Sequence, residues 1–423
     1  MIRLTKETPL HNWHVSKKAN MANFGGYEMP LWYSSARAEH LAVLTSAGIF
    51  DTSHMALLRV EGQDAYELLQ LCFTNNLDAC IGKDKNPLYP CRCVYGAFLD
   101  EKGEVIDDTI IYMLAENGYV VVVNAGMGSK VAGHLSANKG AMAVKIIDLT
   151  DSIGKIDVQG PEAARIIGRV LAEPAMVFNE MPYFSFKGYF EATSPLADTV
   201  RIMDGTPILL SRTGYTGEFG FEIFIEKGYA VKLWEKIIDI GKDFGIMPCG
   251  LAATDSLRGG AVLPLSHQDI GNWPFIHHPW PFALPFNGDQ FSFTKKFIGS
   301  HALLNIEKPV YTYAFLGNDL RKVSTADPAV VLDPHGQEIG QVLTCVTDMG
   351  IGRNGNRIYS IASPGKPDGF KPKGLCCGFV KVRSRLTTGD VVEIKDKRRK
   401  LKVTIVEDVR PDRTARRPMK EMV

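Results

Sequence analysis

Two adjacent aspartates inside an apolar stretch are the first residues whose placement suggests chemistry. Asp107 and Asp108 interrupt the run GEVIDDTIIY at residues 103–112. This run has the composition of a β-strand, in which neighbouring side chains point to opposite faces. A carboxylate on a buried face needs a partner, a ligand or a raised pKa, so one of the two is a candidate for acid–base work. The alternative is an aspartate that caps a turn at the strand end.

Another carboxylate, Glu222, closes a glycine-rich segment. Residues 212–222 read RTGYTGEFGFE, with Tyr215 inside the segment. Glycines allow the backbone to approach a ligand closely. The segment is neither a P-loop nor a Rossmann fingerprint, because no Gly-Lys-Ser/Thr follows and the next stretch resembles a strand rather than a helix. Glu222 alternates with apolar residues, which predicts a carboxylate on a largely buried strand.

A stiff aromatic segment, GNWPFIHHPWPF, occupies residues 271–282. Three interpretations are open: the wall of a substrate pocket, a plug in the core, or a metal site. Adjacent histidines direct their rings to opposite sides, and no cysteine or carboxylate cluster surrounds them, so we expect no metal. A proline-stiffened wall loses little entropy on binding, which favours a substrate pocket. Its candidate residues are Trp273, His277, His278 and Trp280.

The elements that must position these residues follow from an internal repeat. RVEGQDAYELLQ starts at Arg59, and DVQGPEAARIIG starts at Asp157. Both read as a strand, a glycine turn and an amphipathic helix, which predicts two related α+β halves with a ligand cleft between them. An amphipathic helix is predicted over residues 229–245. Beyond about residue 290 short strands alternate with turn residues, which predicts a C-terminal antiparallel β-barrel.

Bulk properties exclude several classes of protein. The 423 residues carry a net charge of +1, so no strong field attracts nucleic acid or an anionic membrane. No apolar run approaches the roughly 18 residues of a membrane helix, and the first residues lack the apolar core of a signal peptide. The eight cysteines form no Cys-x-x-Cys pair and are expected to be reduced. These features predict a cytoplasmic protein.

Nine motifs in fixed order carry a resemblance to a known family. The sequence resembles the glycine-cleavage T-protein family, whose superfamily includes tetrahydrofolate-dependent aminomethyltransferases and folate-dependent demethylases. The resemblance extends from residue 8 to about residue 405, and its motifs read TPLHNWHV, NFGGYEMPLWYSS, AEHLAVLTSAGIFDTSHM, GEVIDDTIIY, VVNAG, VQGPEA, RTGYTGEFGFEI, GLAATDSLR and KFIGSHALL.

The resemblance implies an α+β fold in the form of a three-domain cloverleaf around a folate channel. Residues 1–55 and 145–290 would form a first folate-binding domain. Residues 56–144 would form a second domain that carries the catalytic aspartate. Residues 291–423 would form the C-terminal β-barrel.

The resemblance also implies roles for single residues. Asp108 is the expected catalytic aspartate, and Tyr95, Asn124, Tyr215 and Glu222 are the expected tetrahydrofolate-binding residues. Glu222 would accept N–H donors from the pterin ring. The sequence departs from the family in the expected substrate pocket, because Thr254 stands where an arginine is usual. The segment 271–282 also differs from the usual loop over the one-carbon site.

Three functions are compatible with these residues. The departures favour a demethylase that moves a methyl group from a small methylated substrate to tetrahydrofolate. The first alternative is a glycine-cleavage aminomethyltransferase, which would work with a lipoyl carrier protein and yield 5,10-methylenetetrahydrofolate and ammonia. The second alternative is a non-enzymatic folate-binding protein of iron–sulfur maintenance. That class carries a Lys-Gly-Cys-Tyr motif, which this sequence lacks.

Overall fold

The computed structural model describes residues 5–288, 290–325 and 329–423. The α-helices within them are α1 (His11–Ser16), α2 (Ala36–Thr45), α3 (Ala65–Cys72), α4 (Gly128–Asn138), α5 (Ala163–Val170), α6 (Pro174–Phe178), α7 (Ala230–Gly241), α8 (Leu251–Gly260) and α9 (Ser300–Leu304). The strands are β1 (Asn20–Phe24), β2 (Tyr27–Trp32), β3 (Ala47–Asp51), β4 (Ala56–Glu61), β5 (Cys93–Leu99), β6 (Val105–Ala115), β7 (Gly118–Val123), β8 (Lys145–Asp148), β9 (Ile153–Gln159), β10 (Phe186–Lys187), β11 (Leu209–Ser211), β12 (Gly220–Glu226), β13 (Ile246–Cys249), β14 (Tyr311–Gly317), β15 (Val330–Leu332), β16 (Glu338–Asp348), β17 (Ile351–Asn354), β18 (Arg357–Ser360), β19 (Leu375–Val382), β20 (Val391–Lys395) and β21 (Lys400–Val406). None of the helices in the described ranges is both long and apolar enough to cross a membrane.

The first sheet has the strand order β10-β11-β12-β9-β3-β13. Its central strand β9 is buried along its whole length, because helices α5 and α7 pack against the sheet and β3 and β12 flank it. The helix predicted over residues 229–245 forms as α7. It buries the predicted face, which consists of Ala230, Leu233, Trp234, Ile237 and Gly241.

The second sheet has the strand order β5-β6-β7-β4-β8 and carries the paired aspartates on β6. Strand β8 pairs with β4, so residues 145–148 belong to this sheet. A domain boundary at residue 144 would therefore cut through the sheet. The sequence pattern could not reveal this, because an edge strand of four residues is too short for its pattern to show which sheet it joins.

The internal repeat forms two equivalent strand–turn–helix units, β4 with α3 and β9 with α5. Gly62 and Gly160 occupy the same turn position, with φ angles of 139° and 128°. A Cβ atom at Gly62 would lie 2.0 Å from the carbonyl oxygen of Ala143, and one at Gly160 would lie 2.5 Å from that of Ser46. Both turns therefore require glycine, for its positive φ and for the close approach of another backbone segment.

The predicted C-terminal barrel is confirmed as a closed antiparallel barrel of six strands in the order β14-β19-β16-β15-β20-β21. The barrel begins at Tyr311, later than the predicted boundary at residue 291. Before it, Lys295 donates hydrogen bonds from Nζ to the carbonyl oxygens of Gln70 and Phe73, at 2.7 Å each. The residues just after 290 therefore pack against α3 of the second domain, where this lysine satisfies carbonyl groups at the end of the helix.

A buried ionic cluster joins the barrel to the first domain. Asp348, at the end of β16, lies 2.9 Å from Nε2 of His40 in α2 and 2.7 Å from a guanidinium nitrogen of Arg410. Arg410 also lies 3.1 Å from Glu218 in the glycine-rich segment. Because all four side chains are buried, each charge depends on the others for compensation. The cluster fixes the barrel against the elements that carry Tyr215 and Glu222.

Candidate active site

Asp108 is held in place by two of the residues that the sequence implicates with it. The hydroxyl group of Tyr95 on β5 donates to Oδ2 at 2.8 Å, and Nδ2 of Asn124 donates to Oδ1 at 2.7 Å. Burial, reinforced by the negative charge of Asp107, raises the pKa of Asp108 to about 6. A carboxylate with such a pKa can accept a strong hydrogen bond or exchange a proton near neutral pH.

Asp107 and Asp108 are not separated by the faces of the strand, contrary to the simplest expectation. Nδ2 of Asn124 also donates to Oδ1 of Asp107 at 2.9 Å, so one amide bridges the two carboxylates. Asp107 is fully buried and accepts further hydrogen bonds from the main-chain N–H of Asn124 and from Ser266, at 2.8 Å each. Asp107 therefore orders the turn that presents Asn124 to Asp108.

Tyr215 lies beside this carboxylate in the glycine-rich segment between β11 and β12. Its hydroxyl group donates to the carbonyl oxygen of Pro264. Burial raises the pKa of Tyr215, and the nearby negative charge of Asp108 adds to this rise. The structure thus brings Tyr95, Asp108, Asn124 and Tyr215 together, although they come from four separate elements of the chain.

Glu222 lies on β12 and is almost fully buried. Its Oε1 accepts from Nζ of Lys155 at 2.5 Å, and its Oε2 accepts from the hydroxyl groups of Tyr112, at 3.2 Å, and Thr213. Burial opposes the charged form, but the lysine and the two hydroxyl groups lower the pKa of Glu222 below its usual value. Since a carboxylate offers about four acceptor positions, Glu222 retains about one for a ligand.

Lys155 and Asp157 form the part of the site that the sequence analysis missed. Nζ of Lys155 lies 2.8 Å from Oδ1 of Asp157, which also accepts from Thr52 at 2.8 Å. Burial raises the pKa of Asp157 to about 7, although the ammonium group opposes this rise. A signal was present in the sequence, because Lys155 and Asp157 alternate with apolar residues in IGKIDVQ and therefore share one face of β9.

Strand β6 connects the surroundings of Asp108 with those of Glu222. Asp108, Ile110 and Tyr112 lie at alternate positions and so share one face of the strand. Tyr95 on β5 is paired with Ile110 and adds its side chain to this region. The Cα atoms of Asp108 and Tyr112 are about 13 Å apart at the usual rise of a strand. A ligand that reaches both Asp108 and Glu222 must therefore extend along this face.

Trp280 does not line a pocket, and its assignment to a pocket wall requires correction. Its side chain is 0% exposed. The indole Nε1 donates to the carbonyl oxygen of Val262 at 2.8 Å, and the ring meets Phe379 of the barrel edge-on at 5.2 Å. The core plug is therefore the interpretation that fits Trp280, because its packing leaves no ring surface open to solvent.

Trp273, His277 and His278 also face the barrel or other residues of the segment. His277 is exposed and stacks on Tyr311 of β14 at 5.0 Å. Nδ1 of His278 accepts from the main-chain N–H of Trp280 at 3.1 Å, and burial lowers the pKa of His278 to about 3. The ring of Trp273 packs under Nζ of Lys381 at 3.9 Å. These contacts do not bring the four residues to Asp108.

The segment reaches the site through a different residue, Phe282. Its ring lies 5.8 Å from that of Tyr95, and 54% of the side chain is exposed. Asn75 fixes this approach, because its Nδ2 donates to the carbonyl oxygens of Tyr95 and Phe282 at 3.0 Å each. Sequence reasoning passed over Phe282 because a proline-rich segment has no period from which side-chain direction can be read.

Thr254 lies on the first turn of α8. Its hydroxyl group donates to the carbonyl oxygen of Gly250 at 3.3 Å. It therefore supplies no charge at this position. Within the described ranges, no group of three or more His, Cys, Asp or Glu side chains is arranged to hold a metal ion.

Comparison with known proteins identifies the family. The domain described as the GCVT N-terminal domain matches residues 10–273. The aminomethyltransferase of Thermoanaerobacter sp. (strain X514) is 33% identical over 341 residues, which are 80% of this chain and 85% of that protein. The aminomethyltransferase of Caldanaerobacter subterraneus subsp. tengcongensis is 38% identical over 266 residues, which are 63% of this chain and 65% of that protein.

A solved structure extends the similarity to nearly the whole chain. The glycine cleavage system aminomethyltransferase T from Bartonella henselae superposes with a TM-score of 0.72 and 26% sequence identity. The superposition covers 95% of this chain and 97% of that one. With these matches to both its N-terminal part and its complete fold, the chain belongs to the aminomethyltransferase family that carries the GCVT N-terminal domain.

Proposed function

We propose that this protein transfers a one-carbon unit to tetrahydrofolate as an aminomethyltransferase, with 5,10-methylenetetrahydrofolate and ammonia as products. One observation carries the proposal: Asp108, with a pKa raised to about 6, is oriented by Tyr95 and Asn124. That is the arrangement expected of a group that exchanges a proton or accepts a hydrogen bond during the transfer. The aminomethyltransferase relatives support the same reaction class.

The residues present fit a folate substrate, although less simply than the sequence suggested. Tetrahydrofolate supplies the nitrogen atoms that receive the one-carbon unit. Glu222 remains ionised and has about one acceptor position left, which suits a single N–H donor of the pterin ring. Tyr112, which contacts Glu222, and Asp108 share one face of β6. Asp108 would there orient the end of tetrahydrofolate that receives the one-carbon unit. Phe282 and Tyr95 would cover the ring with aromatic surface.

The proposed donor is an aminomethyl group borne by a lipoyl carrier protein. This part of the proposal rests on the similarity to the glycine cleavage system aminomethyltransferase T. The sequence favoured demethylation of a small methylated substrate, mainly because of Thr254 and the aromatic segment 271–282. That argument is weaker now that Trp280 is seen to pack in the core. The relatives, at 33% and 38% identity, are named aminomethyltransferases.

Product analysis tests the proposal. Purified protein and tetrahydrofolate are mixed either with an aminomethylated lipoyl carrier protein or with small sulfonium and quaternary ammonium methyl donors. We expect 5,10-methylenetetrahydrofolate and ammonia with the carrier, and no reaction in the matched Asp108→Asn variant. Formation of 5-methyltetrahydrofolate from the small donors alone would instead establish the demethylase. Absence of tetrahydrofolate binding by calorimetry up to millimolar concentration would contradict both functions.

A further inference from the structure

A large groove lies outside the candidate active site. It has a volume of about 1270 Å³ and is bounded by residues 89–92, the outer face of α5, residues 174–187 and residues 416–423. None of the site residues described above lines it. We call it the basic groove, because the cationic side chains along it are Arg92, Arg165, Arg169, Lys187, Arg416, Arg417 and Lys420, whereas Glu180 is the acidic one.

Most of this positive charge is not neutralised within the protein. Arg165 lies 3.3 Å from Glu162, and Arg169 lies 3.9 Å from Asp243. In the described part of the chain, the other five cationic side chains of the groove form no ion pair with a carboxylate. Several cations at one concave surface produce a positive potential that attracts an anionic partner.

A buried arginine beneath the groove strengthens this potential. The side chain of Arg212 is 1% exposed, and its guanidinium group donates to the carbonyl oxygens of Gly220, Ala415 and Arg417 at 2.8 to 3.4 Å. It also packs on the ring of Phe219 at 3.8 Å. Its Nε atom is buried without a hydrogen-bond partner among the described residues. A buried charge that is met only by neutral groups is costly and is stabilised by an anion nearby.

Apolar and aromatic surface accompanies the charge. Tyr89 and Val423 line the groove and are exposed. The guanidinium groups of Arg92 and Arg416 lie over the rings of Tyr89 and Tyr183, at 5.8 and 5.5 Å. Such a surface fits carboxylates interspersed with an apolar side chain better than it fits a small, fully hydrated anion. Its volume also exceeds the roughly 300–1,000 Å³ of a small-molecule pocket.

The carboxylates of a bound folate are a poor candidate for the occupant. The basic groove and Glu222 lie on opposite sides of a packed layer that contains Cys93, Tyr112 and Phe186, all buried. Tyr112 contacts Glu222 on one side and the ring of Phe186 at 5.3 Å on the other. A folate tail that starts near Glu222 would have to cross this layer.

We infer that the basic groove is a docking surface for an acidic segment of a partner protein, in which carboxylates flank an apolar residue. The inference goes beyond the proposed function and does not depend on it, since a partner could dock here whatever the one-carbon donor is. Residues 89–92 lead directly into β5, which carries Tyr95. A partner bound in the groove would therefore contact the loop that precedes one side of the candidate site.

Fluorescence anisotropy with a defined probe tests this inference. The probe is a labelled peptide, Asp-Glu-Leu-Glu-Phe-Asp-Glu, and its control replaces each acid by the corresponding amide. The groove variant is Arg416→Glu with Arg417→Glu. The matched control is Lys371→Glu with Lys373→Glu, which makes the same charge change at exposed positions on the barrel side, outside the groove. If the first groove variant lowers the melting temperature, a second groove variant, Arg165→Glu with Lys420→Glu, is used in its place.

The expected result is binding of the acidic peptide alone, weaker at high salt. The groove variants should weaken it by about tenfold or more, and the Lys371/Lys373 variant should leave it nearly unchanged. Failure of the acidic peptide to bind at millimolar concentration would overturn the inference. Equal weakening of peptide binding by the groove variants and the control variant would also overturn the inference, because it would show that the peptide is attracted nonspecifically. Displacement of the peptide by tetrahydrofolate pentaglutamate, but not by tetrahydrofolate itself, would assign the groove to a folate tail instead.

Discussion

Nζ of Lys155 lies 2.5 Å from Oε1 of Glu222, and both side chains are almost fully buried. The candidate pterin-binding carboxylate thus already has a counter-ion before any ligand arrives. The neighbouring Asp157, whose pKa is raised to about 7, shares the same ammonium group. The net charge around Glu222 is therefore set by Lys155, Asp157 and Glu222 together.

Replacing Lys155 by methionine should destabilise the protein by about 3–5 kcal/mol, because it leaves the buried carboxylate of Glu222 without a counter-ion. The double variant Lys155→Met with Glu222→Gln should recover most of this loss. Glu222 then carries no charge, and Asp157, whose pKa is about 7 even beside the ammonium group, becomes neutral when that group is removed. Urea unfolding of the two single variants and the double variant measures the coupling. A double variant no more stable than Lys155→Met would contradict the assignment of the pair as mutually dependent.

The pH dependence of turnover should report Asp108. The rate should rise with pH around a midpoint near 6, the pKa to which burial and the charge of Asp107 raise this carboxyl group, because the ionised form is the acceptor. Asp108→Asn should abolish turnover while tetrahydrofolate affinity changes by less than about tenfold, or about 1.4 kcal/mol. Asp107→Asn removes a neighbouring negative charge, so it should move the midpoint to lower pH. A midpoint that does not move would show that another group controls the rate.

Trp280 and Phe282 should behave differently when each is truncated to alanine. Trp280→Ala opens a cavity in a packed core, so we expect a loss of about 3–5 kcal/mol of stability. Phe282→Ala removes a largely exposed ring that touches Tyr95, so it should raise the KM for tetrahydrofolate and leave the melting temperature nearly unchanged. Thermal melts and steady-state kinetics on both variants distinguish a packing role from a role in substrate binding. Selective loss of donor turnover in a fully stable Trp280→Ala protein would restore the pocket-wall interpretation.

The ionic cluster around Asp348 should make the protein sensitive to acid. Burial opposes ionisation of Asp348, but the guanidinium group of Arg410 and the hydrogen bond with His40 hold its pKa at about 2. This pKa lies below the value of about 3.9 in an unfolded chain. A lowered pKa contributes stability that is present above the unfolded pKa of about 4 and is lost as the pH falls towards 2, about 2.6 kcal/mol in total. Asp348→Asn should therefore be less stable than the parent protein at pH 7. The difference should shrink below pH 4 in urea unfolding curves, and a constant difference across this range would be inconsistent with the ion pairs.

Much of the fold could be predicted because its elements have strong local patterns. The face of α7 from Ala230 to Gly241 follows helical spacing, and the barrel strands alternate between turn residues. Asp108 and Glu222 could be found because charged residues inside apolar strands are conspicuous. The four-residue strand β8 and the start of the barrel at Tyr311 were misplaced, since both depend on which distant segment a short stretch packs against.

The rest of the site depends on contacts between distant residues. Lys155 meets Glu222 because β9 and β12 are adjacent in the sheet, and nothing in either strand alone specifies that pairing. The directions of Trp280 and Phe282 are set by prolines and by the barrel behind them, so composition alone could not distinguish the buried ring from the exposed one. The bridge from Asn124 to both aspartates depends on how the turn after β7 folds back on β6.

The two glycine turns of the internal repeat have a consequence for mutational tolerance. Gly62 and Gly160 lie 98 positions apart. Each has a positive φ and another segment's carbonyl oxygen within 2.5 Å of where a Cβ would lie. No other residue fits either turn without displacing the backbone that crosses it. A scan of all single substitutions should therefore find two intolerant positions at this interval, each beside a helix whose exposed face accepts change freely.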